Sequence, residues 1–286
     1  RILGLNVEAT QREIAKRVSD IEVYEAMGKS FSSEYDRVVP GKISRTDSTL
    51  AAALSKLEMD DSRLLYSLFW FGTSEYDDSN SEALKSLLGG EEERAHKVWR
   101  SATKEQLTYK NATSYKNYSV YLIHLSVADD QLDLGLFMKG ISYACEFLNS
   151  NYFEDYSWTV NGSEYSLNRA KIYRAYCDWI LESISKDERT SSNVKRAISA
   201  LDPLGFDAIE YAVDVFTRDE VRRVEESVLK AKQLRDESPK EANKWGKQLA
   251  SNVNGTVRIL KSLFPADDLR YQIIADKFSD ELLQCS

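Results

Sequence analysis

The residues of this chain best suited to chemistry are two histidines and three cysteines. His96 follows Glu93 by three positions in Glu93-Arg94-Ala95-His96, a spacing that puts both side chains on one helix face. Helical bundles build di-iron sites from two such pairs plus further carboxylates. The second histidine, His124, has Tyr121 three residues before it, so the set is incomplete and His96 reads as a partly buried structural residue. Cys145, Cys177 and Cys285 are far apart, odd in number and without CxxC spacing. Neither a disulfide framework nor a zinc site is expected from them. Reduced, mostly buried thiols of a cytoplasmic protein are. Asp276, in Ile273-Ile274-Ala275-Asp276-Lys277, is the carboxylate nearest an apolar run. With Lys277 adjacent and Glu281 five residues on, it reads as a solvated or capping group. The chain carries no G-x-S-x-G elbow, Walker A loop or dinucleotide fingerprint. No catalytic residue, metal or cofactor is expected.

Aromatic residues are the other chemical resource: 16 Tyr, 10 Phe and 5 Trp. Tyr115, Tyr118 and Tyr121 fall at i, i+3 and i+6, while Tyr173 and Tyr176 lie near Trp179. One reading makes these five tyrosines a partner-binding groove of the kind helical repeats present on a concave face. The other makes them helix–helix packing with hydroxyls reaching water. Packing is the stronger reading for any one residue, and the set leaves room for one exposed patch.

The surroundings narrow the function further. In 286 residues, the 42% hydrophobic content suffices for packed cores, and the 29% charged content suits a solvated helical surface. A net charge of −8 argues against nucleic-acid binding, which calls for a basic face. No apolar run approaches the roughly 18–20 residues that span a bilayer, so no membrane role is expected. No signal peptide is visible, and the Asn-x-Ser/Thr sequons at Asn111, Asn117, Asn161 and Asn254 would matter only in a secreted protein. Both ends read as cut from a longer protein.

The elements that must position these residues are helices. The four prolines, Pro40, Pro203, Pro239 and Pro265, each sit where a helix begins or ends. Capping boxes are expected at Thr10-x-x-Glu13, Thr217-x-x-Glu220 and Ser238-Pro239-x-Glu241. Val221, Val224, Val228 and Ala231 make one amphipathic stripe. Ala242, Trp245, Leu249, Val253, Val257 and Leu260 make a second, and Leu269, Ile273, Ile274 and Phe278 a third. One strand signal stands against these: Tyr156, Trp158 and Val160 alternate before Asn161-Gly162, which predicts a short hairpin or, slightly better, an irregular loop.

Three regions are expected on this basis. Residues 1–72 form the first. Residues 73–200 hold helices near 80–89, 91–103, 112–128 and 130–150, a turn-rich connection at 151–164, and one long helix with a second after it. Residues 204–286, within a third region starting at 201, form an antiparallel three-helix unit. In the second region the Gly89-Gly90 break, Ala95 and Trp99 resemble a tetratricopeptide-type helix pair, though no strict 34-residue period follows.

The first region resembles a J-domain, the helical module with which co-chaperones engage Hsp70. Leu3, Gly4 and Leu5 match the family's first-helix leucine and glycine. Ala9-Thr10 matches the small residue and N-cap before its second helix, and Glu13, Ile14 and Lys16 the start of that helix. Leu57, Arg63 and Tyr66 match a third-helix pattern, after an unusual loop from Lys29 to Asp47. The family's His-Pro-Asp loop falls on Ala26-Met27-Gly28, and its basic pair on Ser19-Asp20. In the family these groups contact Hsp70 and trigger ATP hydrolysis. Asp20, Glu22 and Glu25 instead make this helix face acidic, which would tend to repel an acidic partner surface. The expectation is an all-α protein with a degenerate J-domain-like front, tetratricopeptide-like helix pairs and a C-terminal antiparallel bundle. It would act as a non-catalytic scaffold for protein partners, with an Hsp70 co-chaperone as the alternative.

Overall fold

A computed structural model of the chain describes residues 1–38, 43–128, 131–184, 191–264 and 267–286; the boundary prolines Pro40 and Pro265 lie outside them. Thirteen α-helices and no strand run through the described residues, so the fold is all-α. In chain order they are α1 (Gln11–Ala26), α2 (Asp47–Glu58), α3 (Asp60–Ser67), α4 (Asp78–Leu88), α5 (Glu92–Ala102), α6 (Ala112–Ser126) and α7 (Leu134–Asn149). There follow α8 (Tyr152–Asn161), α9 (Arg169–Ser183), α10 (Ser191–Ala200), α11 (Phe206–Glu237), α12 (Ala242–Leu263) and α13 (Leu269–Gln284). The chain divides into two units, Arg1–Tyr176 with Ala200–Gly205, and Cys177–Ser199 with Phe206–Ser286.

In the first unit, α1 starts as its sequence predicts. The Glu13 amide donates to Thr10 Oγ1 at 3.3 Å and the Thr10 amide to Glu13 Oε2 at 2.7 Å. It ends at Gly28, whose φ of +68° only glycine adopts without strain. There the Gly28 amide bonds the Glu25 carbonyl at 2.8 Å and the Lys29 amide the Tyr24 carbonyl at 2.9 Å. The positions aligned with His-Pro-Asp are thus consumed by a helix stop. Residues 1–10 form turns, with the Leu3 and Gly4 carbonyls held by Arg17 at 3.0 and 2.7 Å. The matches Leu57, Arg63 and Tyr66 are divided between α2 and α3 by an extended backbone at Met59 (φ −96°, ψ 129°). Ile14 and Ile21 of α1 pack with Leu3, Ala9 and Leu50 into one small core.

A larger core follows. Trp70, Phe71, Leu84, Trp99, Tyr118 and Leu122 belong to one buried cluster, in which the Phe71 and Trp99 rings stack at 6.0 Å. Ala95 and Trp99, at 0% exposure, seat α5 on α4. α6 is buried on nearly every side and packs along α7. Their approach depends on Gly140: a methyl group there would lie 2.8 Å from Ile123 Cγ1 and 3.1 Å from the Ser119 carbonyl. The hairpin or loop expected at 151–164 is instead α8. Phe153, Ser157 and Val160, at i, i+4 and i+7, are its buried stripe, and packing on α3 and α7 overrides the local alternation. Asn161-Gly162 ends the helix rather than turning a hairpin, with Gly162 at φ +93°.

In the second unit α11, α12 and α13 pack on one another around Val224, Leu249, Val253, Leu260 and Phe278. Glu225–Lys277 and Arg235–Glu281, at 2.9 and 3.3 Å, pair α11 with α13 in the same direction, so α12 runs opposite to both. Two expected caps do not form. Thr217 lies inside the 32-residue α11, buried, and its hydroxyl donates to the Val213 carbonyl at 2.7 Å. A capping box and a helix interior share Thr-x-x-Glu spacing, and here the apolar stripe continues through it. Ser238 precedes a 3₁₀ turn at Pro239–Glu241 without a side-chain cap. Asp77, Asp133 and Asp268 are the side-chain caps of α4, α7 and α13.

Asp77 does more than cap. Its carboxylate, fully buried, accepts from the Asn80 amide at 2.8 Å, the Ser114 amide at 2.7 Å and the Ser114 hydroxyl at 2.9 Å, tying α4 to α6. Asp77→Ala strands two buried amides and a hydroxyl, and should lower unfolding free energy by about 2–4 kcal/mol. Urea unfolding checks this, and a loss below about 0.5 kcal/mol would contradict the role.

Candidate functional site

The structure takes the chemically suggestive residues one by one into structural roles. Tyr115, Tyr118, Tyr121 and Tyr176 are buried, at 4%, 0%, 9% and 0% exposure, so they line no open groove here. The Tyr115 hydroxyl donates to the Glu105 carbonyl at 2.7 Å, and the Tyr118 and Tyr121 rings stack on each other at 6.5 Å. Tyr176 stacks on Phe69 at 5.6 Å. Tyr173 is half-buried and donates to the Leu148 carbonyl at 3.0 Å. His96 packs against the Tyr118 and Tyr121 rings, while exposed Glu93 turns to Lys97 at 3.8 Å. No group of three metal-ligating side chains occurs among the described residues. Asp276 is exposed, and its neighbour Lys277 pairs with Glu225. The three cysteines are buried thiols; burial and the nearby Asp178 push the Cys177 thiol up to about 12.

Two groups below these tyrosines have strongly altered proton affinity. His124, on α6, has Nε2 3.3 Å from the Phe69 carbonyl, and burial brings its pKa down to about 4. It is neutral at pH 7, with Nε2 carrying the proton toward that carbonyl. Lys116, two turns earlier on the same helix, is buried, donates to the Trp70 carbonyl and lies 5.4 Å from the centre of the Tyr156 ring. Burial lowers its pKa to about 7, opposed only in part by Glu8. The sequence reading passed over Lys116, yet a signal existed: it is the only Lys, Arg, Asp or Glu in α6.

Beside His124 the first unit opens into an apolar cavity of about 460 Å3. Turns from residues 1–9 form one wall and helices α2 and α3 another. Trp70 is fixed in the lining by its indole N–H, which donates to the Leu5 carbonyl at 2.6 Å. Arg1, Ala52, Lys56 and Tyr66 are the exposed members of the lining, and Leu3, Ile14 and Trp70 are buried members. No local sequence pattern marks this cavity, because its walls come from segments as far apart as residues 1–9, 49–70, 124 and 160.

The altered groups make stability depend on pH in opposite ranges. Lys116 is held below its unfolded value, so the unfolded chain binds more protons between about pH 7 and 10.5 and stability rises with pH across that window. Lys116→Met should flatten this rise in urea midpoints measured at pH 7 and 9.5; an unchanged slope would refute the burial argument. His124, lowered from 6.5 to about 4, favours the fold at neutral pH, and that contribution is lost as pH falls through this range. His124→Gln should therefore lose less stability than the parent chain between pH 6.5 and 4.5.

Neither the family models, nor the curated proteins, nor the solved structures compared with this chain give a match.

Proposed function

We propose that the chain is a non-catalytic adaptor for protein partners and that the outer face of α1 is a contact surface. The observation that carries this reading is a row of apolar side chains in water: Val23, Tyr24 and Met27, at 53%, 43% and 63% exposure. With Asp20 they stand at i, i+3, i+4 and i+7, one line along the helix. Single exposed apolar residues are ordinary on any surface, whereas a contiguous patch rimmed by polar groups marks an interaction site. From Ser19 to Met27 the rim holds Asp20, Glu22 and Glu25 and no base. Charge complementarity then selects a partner segment with apolar side chains flanked by Lys or Arg.

The non-catalytic part of the reading is supported by where the buried ionisable groups are engaged. Asp77 ties two helices, Lys116 and His124 bind backbone carbonyls, and Glu281 meets Arg235. In this reading the α4–α5 and α6–α7 pairs are the tetratricopeptide-like part of the scaffold, and the buried thiols suit a cytoplasmic setting. The J-domain resemblance carries no Hsp70 activity in this reading, because the acidic second half of α1, with Asp20, Glu22 and Glu25, and a glycine helix stop stand where the family has a basic face and a proline loop.

The test uses the full chain, since Trp70 and Phe71 share a core with Leu84 and Trp99 and residues 1–72 cannot be removed cleanly. Replacing Val23, Tyr24 and Met27 together by Ser should abolish partner capture from the native cell, with helical circular dichroism unchanged. Capture of the same partners by the folded triple variant would defeat the reading. In an ATPase assay the chain should leave the Hsp70 rate at its basal value, whereas strong stimulation would move the function to co-chaperone.

A further inference from the structure

The cavity beside His124 has a dry floor and a cationic mouth. Polar groups on its floor are satisfied within the protein. Trp70 Nε1 donates to the Leu5 carbonyl at 2.6 Å, the Ser67 hydroxyl to the Leu64 carbonyl at 2.6 Å, and His124 meets the Phe69 carbonyl. What these residues turn toward the space, with Leu3, Ile14 and Leu57, is hydrocarbon and aromatic ring. Its volume of about 460 Å3 falls inside the range of about 300–1,000 Å3 typical of small-molecule sites.

The charged side chains of the lining are all of one sign. Arg1, Lys56 and Arg63 contribute to it, and no carboxylate does. Lys56 Nζ lies 4.9 Å from the centre of the Tyr66 ring. Arg63, one turn before Tyr66 on α3, lines the same cavity. Arg63 gives one bond to the Ala9 carbonyl at 3.3 Å, and neither Lys56 nor Arg63 enters an ion pair among the described residues. Two cations without a counter-ion, at the edge of an apolar hole, match a ligand with an anionic head and a hydrocarbon body. A neutral apolar molecule would leave the cations unused, and a cationic one would be repelled.

We propose that this cavity binds an aliphatic carboxylate of medium chain length, its tail against Trp70 and Ile14 and its head at Lys56 and Arg63. The site is independent of the α1 contact face, since Val23, Tyr24 and Met27 take no part in it. Trp70 is the single tryptophan of the lining and serves as the reporter. The full chain is titrated, below the micelle range, with dodecanoate brominated at its last carbon and with the matching brominated dodecanol. Saturable quenching of tryptophan fluorescence is expected, with the carboxylate binding at least about tenfold tighter than the alcohol. Lys56→Gln, at an exposed position, together with Arg63→Gln should erase that preference and leave alcohol binding unchanged. Ala53→Phe, which fills the lining, should abolish quenching by both at unchanged circular dichroism. Absence of saturable quenching, equal affinity for acid and alcohol in the parent chain, or a preference that survives the double substitution would overturn the proposal. The double variant alone decides the matter if Ala53→Phe does not fold.

Discussion

Gly72 is held on both of its backbone groups by side-chain amides from two helices. Its N–H donates to Asn117 Oδ1 at 3.0 Å, and its carbonyl accepts from Asn117 and Asn80 at 2.7 and 3.2 Å. Asn80 Oδ1 in turn accepts from Asn117 at 2.7 Å and from the Trp99 indole at 3.2 Å. In the connection from α3 to α4, Trp70, Phe71 and Gly72 are buried, where an unpaired peptide group is costly. α4, α5 and α6 are tied through this network to one piece of backbone. Asp77, the N-cap of α4, extends the network to Ser114. A polar network satisfied throughout specifies one packing more sharply than oil-like contacts do.

The same interior accounts for the perturbed groups. Lys116 emerges from α6 into the region where Gly72, Trp70 and Tyr156 meet, and it finds a carbonyl there rather than water. His124, two turns on, faces the Trp70 and Phe71 rings. Both are desolvated because α6 is the central helix of its unit, buried on twelve of its fifteen residues. The cavity is the complement of this order. It lies where the turns of residues 1–9 meet α2 and α3, and Lys56 and Arg63 are among its lining.

Much of the helical architecture was legible in local sequence. The Thr10–Glu13 cap, the Gly89-Gly90 break and the stripes of α11 to α13 each depend on residues within one or two turns of one another. Readings failed where a local pattern had two physical outcomes. Thr217-x-x-Glu220 suits a helix start or a helix interior, and Tyr156-x-Trp158-x-Val160 suits a strand only until Phe153 and Ser157 are buried with Val160. The tyrosine line of α6 was visible as spacing, but spacing does not tell a central helix from a surface one.

The sequence by itself determined that this chain is all-α, how α1 begins, and that Ala26-Met27-Gly28 offers neither an imidazole nor a carboxylate. Those properties follow from hydrogen bonds and sterics acting over a few residues. Only the tertiary structure decided that Asp77 and Lys116 are interior, that Tyr115, Tyr118, Tyr121 and Tyr176 are buried, and that Lys56 and Arg63 flank an apolar space. Burial and electrostatic environment depend on segments as far apart as residues 5 and 70, or 72 and 117, and no local pattern encodes which of them will meet.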